Sequence, residues 1–98
     1  MQLSFKKHPA ATLVPTTSLA DLLPGRQAVI VELDLPGELA TRLMTLGFVP
    51  GNTVALVRTA PGGDPLVFRV DGAELALRRD TAQQIRIDSE SISPLEEP

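Results

Sequence analysis

The stretch Leu43-Met44-Thr45-Leu46-Gly47-Phe48-Val49-Pro50-Gly51-Asn52-Thr53-Val54 reads as the end of a helix, a glycine stop, a Pro-Gly turn and the start of a strand. Leu39, Leu43 and Leu46 recur at i, i+4 and i+7, which puts them on one helix face and predicts that all three are buried. Gly47 stands where a left-handed C-terminal cap is needed, because it has no Cβ to clash at positive φ. Pro50-Gly51 then supplies a turn in which proline presets φ and glycine tolerates the reversal.

Working back from this point, Pro36 fits the first turn of the helix, predicted over 36–46, where a missing N–H costs nothing. Glu38 and Arg42 are spaced as a favourable i, i+4 pair on its wet side. Gln27 to Leu33 contains the β-branched run Val29-Ile30-Val31 and reads as a strand. Ser18 caps a short helix running to Leu23, which Pro24-Gly25 stops. Working forward, Thr53 to Arg58 is a strand and Pro61-Gly62-Gly63-Asp64-Pro65 is a reversal. Leu66, Phe68 and Val70 alternate with Val67, Arg69 and Asp71, the period of a half-buried strand. Asp71-Gly72 is a two-residue hairpin signal. Leu75 and Leu77 continue the alternation, Asp80 to Gln84 forms one helical turn, and Ile85 and Ile87 mark a closing strand.

About five short strands and one inserted α-helix predict a mainly β fold, a small closed barrel of SH3-like type. Closure also removes the exposed edges that so small a sheet has no means of covering. Residues 1–18 and 89–98 lack sustained periodicity and read as flexible tails, the second acidic, around a domain at 19–88.

With 98 residues the chain has room for one modest core. Three phenylalanines are its only aromatics, so aliphatic side chains fill that core. The net charge of −3 argues against bulk affinity for nucleic acid. Cysteine is absent, which excludes disulfides and thiolate metal sites. No apolar run is long enough to span a bilayer and none resembles a signal peptide, so the expected location is cytoplasmic.

The residues offer little chemistry. The single histidine, His8, falls in the N-terminal tail, and no serine sits in a strand-turn-helix elbow. Glu32 and Asp34, like Asp71 and Glu74, read as solvated acids at strand ends and turns. Gly62-Gly63-Asp64 joins two strands instead of opening a helix, so it is no phosphate loop. Arg58, Arg69, Arg78 and Arg79 are placed on the sheet, with the first two as near cross-strand neighbours. The absence of Trp and Tyr removes the aromatic groove by which SH3 domains read proline-rich peptides, and equally the platforms for stacking bases. The residues predict neither an enzyme nor a bound cofactor, and no tight metal site.

Two motifs then coincide with a known family. Arg42-Leu43-Met44-Thr45-Leu46-Gly47-Phe48-Val49-Pro50-Gly51 resembles the R-L-x-x-L-G-hydrophobic-x-P-G signature of FeoA, ferrous iron transport protein A. Val57-Arg58-Thr59-Ala60-Pro61-Gly62-Gly63-Asp64-Pro65 resembles that family's V-x-x-A-P-x-G-D-P hairpin. The resemblance covers about residues 19–88. It implies an SH3-like barrel that serves FeoB, the membrane GTPase transporter of ferrous iron, and that FeoB recruits to the inner face of the membrane. The family brings no catalytic or metal-binding residues. Gly47, Pro50, Gly51, Gly63, Asp64 and Pro65 are therefore read as structural turns. An adaptor without catalytic residues acts through apolar and arginine contacts. The expected docking surface is Met44 and Phe48 beside Arg42, with Arg58 and Arg69 as rim charges, unless Phe48 is a plug beneath the helix end. Self-association stays open, and the alternative function is a small nucleic-acid-binding barrel of ribosomal or transcription-factor type.

Overall fold

The structure, a computed structural model, describes residues 14–95. Seven strands form one antiparallel sheet: β1 (Thr16–Ser18), β2 (Arg26–Leu33), β3 (Thr53–Thr59), β4 (Leu66–Val70), β5 (Ala73–Leu77), β6 (Ile85–Asp88) and β7 (Ser93–Pro94). Their order is β1-β6-β2-β3-β4-β5, with β7 also paired to β2. Helix α1 (Gly37–Thr45) joins β2 to β3, and the single turn α2 (Arg79–Ala82) joins β5 to β6.

The long strand β2 organises the rest. Its first half pairs with β3, from Arg26 opposite Leu56 to Val29 opposite Thr53. Its second half pairs with β6, where Ile30 faces Ile87 and Leu33 faces Ile85. An irregularity between Ile30 and Glu32 lies within the β6 ladder, where β2 carries one extra residue and bends. The Val29 N–H donates to Ser91 Oγ at 2.8 Å.

The meander β3-β4-β5 follows the alternation of its sequence. Val54, Leu56, Leu66, Phe68, Val70 and Leu77 are buried, while Arg58 and Glu74 face solvent. They meet Leu19, Ala28, Ile30, Leu43, Phe48, Ala82, Ile85 and Ile87 in one core. Phe48 and Phe68 form its centre, their rings edge-to-face at 6.4 Å, a geometry aromatic quadrupoles favour. Each fully buried aliphatic side chain stabilises the fold by roughly 2 kcal/mol before entropy is counted.

The turns are built as the residues require. Asp71 (φ 52°) and Gly72 (φ 82°) both lie in the left-handed region, which a two-residue turn of the primed type demands. Gly51 has φ 97° and Asn52 N–H donates to the Val49 carbonyl at 2.9 Å, so Val49-Pro50-Gly51-Asn52 is a type II turn. Ala60-Pro61-Gly62-Gly63 repeats the device, with Gly62 at φ 87° and a 2.9 Å bond from Gly63 N–H to the Ala60 carbonyl.

Several expectations are corrected. The sheet has seven strands instead of about five, because segments assigned to the tails are part of it. It is also not closed by pairing, since β1 and β5 remain its two ends among the described residues. Thr16–Ser18 pairs with Arg86–Asp88, and Ser93–Pro94 pairs with the start of β2. Residues 1–13 and 96–98 of those tails lie outside the described residues, and His8 with them. Ser18 does cap a helical turn, its Oγ accepting from Ala20 N–H at 3.0 Å, but that turn is Leu19–Asp21 and stops before Leu22. Pro36 is the residue preceding the helix, and its carbonyl accepts from Ala40 N–H at 2.8 Å. Glu38 and Arg42 share the wet face without an ion pair among the described residues. Arg78 and Arg79 leave the sheet, the former capping α2 and the latter opening it.

Candidate partner interface

Everything at this surface follows from how α1 ends. Gly47, at φ 112°, donates its N–H to the Met44 carbonyl at 3.0 Å, and Phe48 N–H donates to the Leu43 carbonyl at 3.0 Å. This pair of bonds is the Schellman arrangement, and it satisfies two carbonyls that the last helical turn would otherwise orphan. Asn52 Nδ2 donates to the Gly47 carbonyl at 2.9 Å and ties the cap to the Pro-Gly turn. A Cβ on Gly47 would sit 3.0 Å from Asp71 Cβ and 3.4 Å from Val70 Cγ1. The helix end therefore presses against the β4–β5 turn at a distance only glycine permits.

The cap decides which side chains go in and which stay out. Phe48 is 0% exposed, so the plug reading is correct and Phe48 leaves the docking surface. Leu46 is 41% exposed, which corrects its assignment to the buried face. Helical periodicity extrapolates through Leu46, but the left-handed turn at Gly47 redirects the chain and seats Phe48 beside Leu43 in its place. Leu39 is only partly buried against the core. Met44 (40%), Leu46 (41%) and Val49 (37%) remain as exposed large apolar side chains around the helix end.

Arg42 is exposed and, with Pro36, Glu38 and Leu39, lines a shallow depression of about 240 Å³ on α1. Arg58 and Arg69 are brought together on the outer face of the meander, and both engage Glu74 of β5. Arg58 Nη1 lies 3.4 Å from Glu74 Oε1, and Arg69 Nη2 lies 3.2 Å from Glu74 Oε2. A carboxylate shared between two guanidinium groups lowers the positive field a phosphate backbone would feel. Exposed pairs of this kind add little to stability.

Asp64 and Arg79 turn out to fasten the far end of the meander. Asp64 Oδ1 accepts from the Arg79 backbone N–H at 3.0 Å, capping α2 from outside its own chain segment. The Arg79 guanidinium donates to the Gly63 carbonyl at 2.9 Å and the Ala20 carbonyl at 3.3 Å. One side chain so joins the Pro61–Gly63 turn, α2 and the turn after β1. Gly63 has φ 89° and the Asp64–Pro65 peptide is cis. Among the described residues no buried side chain is polar or charged, and no three carboxylates or histidines converge on a point that would hold a metal ion.

A single apolar core wrapped by short antiparallel strands, with one helix inserted before the central meander, defines a small barrel of the SH3-like class. The chain belongs to the FeoA family: the FeoA domain model matches residues 17–89. It is 37% identical over 70 residues to a Fe(2+) transport protein A/Fe(2+) transporter FeoB fusion protein of Porphyromonas gingivalis. That match takes in 71% of this chain and 8% of the fusion protein. Among solved structures, FeoA of Stenotrophomonas maltophilia, crystallised with zinc and described as an SH3 domain protein, superposes with a TM-score of 0.71 at 33% identity. The superposition covers 82% of this chain and 99% of that one. The solution structure of iron(II) transport protein A from Clostridium thermocellum gives a TM-score of 0.68 at 38% identity, over 74% of this chain and 44% of the other.

Proposed function

We propose that this chain is a non-catalytic accessory of ferrous iron uptake that docks on FeoB in the cytoplasm through the end of α1. The observation that carries this reading is the exposure of three large apolar side chains, Met44, Leu46 and Val49, within six residues around a capped helix end, with Arg42 one turn before Leu46. Methionine and arginine are enriched in interfaces, and apolar side chains grouped at one end of an element mark contact surfaces more often than chance exposure does. The relative in which this domain and FeoB form one polypeptide supports the choice of partner. Leu46 and Val49 take the place assigned to Phe48, and Arg58 and Arg69 serve as rim charges only where a partner displaces Glu74.

Co-purification with FeoB tests the reading. Met44→Asp and Leu46→Asp place charge at exposed positions, so both variants keep the wild-type circular dichroism spectrum. Each lowers recovery of the complex at least tenfold, equivalent to about 1.4 kcal/mol or more of binding free energy. Arg42→Glu gives a smaller loss. Normal recovery with both folded aspartate variants moves the interface elsewhere.

A further inference from the structure

Strand β5 ends the sheet. It pairs with β4 along its whole length, and among the described residues no strand lies on its other side. The turn at Asp71-Gly72 determines which of its backbone groups are free. In a two-residue hairpin the flanking pair, here Val70 and Ala73, exchanges both hydrogen bonds, and the pattern alternates from there. Phe68 with Leu75 and Leu66 with Leu77 are then the remaining bonded pairs. The N–H and C=O of Glu74 and Ala76 point away from β4. Arg78, extended at φ −65° and ψ 149°, carries the same parity one step further through its N–H, while its carbonyl accepts from Ala82 N–H of α2 at 3.1 Å.

The edge is poorly guarded. It has no proline, no lysine and no bulge, three of the devices that prevent a strand from recruiting another, and Glu74 is its one charged side chain. The opposite end of the sheet, β1, is only three residues long. Arg78 is exposed and has no ion-pair partner among the described residues.

We propose that this edge pairs antiparallel with the same edge of a second copy of the chain, in the register centred on Ala76. Five registers bring the outward-pointing groups of Glu74, Ala76 and Arg78 together. Centring on Arg78 sets two guanidinium groups against each other, and centring on Leu77 sets Ala76 against Arg78 without matching charge. Centring on Glu74 sets that carboxylate against its own copy, which like-charge repulsion disfavours. Centring on Leu75 sets Glu74 against Ala76 and gains nothing from charge. Centring on Ala76 sets Glu74 opposite Arg78 of the second copy, and the two-fold axis repeats the pair. The same register sets Leu75 opposite Leu77 on the inner face, again twice. Only this register matches charge on one face and apolar surface on the other. A symmetric, isologous contact of this kind closes at two copies.

Sedimentation of the full chain from micromolar to millimolar concentration reads the association. A reversible dimer is expected, and amide exchange at Glu74 and Ala76 slows as concentration rises while exchange at the Asp71-Gly72 turn does not. Arg78→Glu and Glu74→Arg each put like charges opposite one another twice, and each weakens the dimer about tenfold or more. An equimolar mixture of the two variants restores it, because both rungs of the mixed dimer again join an arginine to a glutamate. Arg78→Glu touches no ion pair within the protomer, so it stays folded and informative even where Glu74→Arg does not. The proposal is overturned if the wild-type chain stays monomeric throughout. It is equally overturned if folded Arg78→Glu dimerises as the wild type does, or if a dimer forms without protecting Glu74 and Ala76. A monomer would leave this edge to a strand of some other protein.

Discussion

The end of α1 and the outer edge of β5 are both exposed, yet they present opposite chemistry. At α1 the backbone is fully provided for: Gly47, Phe48 and Asn52 close the cap, and what faces solvent is side chain, namely Met44, Leu46 and Val49. At β5 the outward side chains, Glu74 and Ala76, are charged or small, and the edge it turns away from β4 is main chain. The first surface selects by shape and is insensitive to strand geometry. The second recognises any extended segment and gains selectivity only through Glu74 and Arg78. As proposed, the two surfaces are chemically distinct and meet only at Glu74, whose carboxylate holds Arg58 and Arg69 within the protomer.

The largest expected effect separates what lies under the α1 end from what lies on it. Phe48→Ala removes a fully buried ring from the centre of the core and costs about 3–5 kcal/mol, whereas Leu46→Ala, two residues away, changes stability by less than about 0.5 kcal/mol. Denaturant midpoints of the two variants check this. Equal destabilisation would erase the division between plug and surface.

A smaller effect tests the close approach that holds the helix end against the hairpin. Gly47→Ala places a methyl 3.0 Å from Asp71 Cβ in a backbone conformation that alanine resists. Destabilisation of about 1–3 kcal/mol is expected, and calorimetry reads it. Gly25→Ala, at φ 86° but with open space around it, is expected to cost less. If the two alanines cost the same, backbone conformation alone accounts for Gly47 and the contact contributes nothing.

The smallest effect lies at the other end of the meander. Asp64→Ala removes the acceptor for Arg79 N–H and is expected to cost about 1 kcal/mol, in the range of a lost helix cap. Faster amide exchange confined to α2 and the Pro61–Gly63 turn would localise the loss. An unchanged melting temperature would show that the arginine bonds to Gly63 and Ala20 hold this end unaided.

Much of this was legible in the residues, and where it was not the reasons are physical. The meander follows from period-two alternation between Leu66 and Leu77, and its turns from glycines and an Asp-Gly pair that accept positive φ. Gly47, Pro50 and Gly51 were readable as geometry for the same reason. The exchange of Leu46 for Phe48 was not, because a periodic pattern assumes that the helix continues while the cap reverses the chain. Strands β1 and β7 were invisible because Thr16–Ser18 and Ser93–Pro94 are too short to alternate and are held by pairing, not by burial. Arg79 gave no signal because its partners are backbone carbonyls 16 and 59 residues away. Phe68 among alternating neighbours declares a core position, but nothing in a sequence marks which carbonyl a distant guanidinium will reach.

The pairing of β1 with β6 has a consequence for how the domain is deployed. Thr16 stands opposite Asp88, and Ser89 N–H donates to the Pro15 carbonyl at 3.0 Å. Beyond that point the chain runs on to β7, where Ser93–Pro94 pairs with the start of β2 and Leu95 N–H donates to the Gly25 carbonyl at 2.7 Å. A pull on either side of the barrel is therefore borne first by a ladder, β1–β6 on one side and β7–β2 on the other, before it reaches the apolar core.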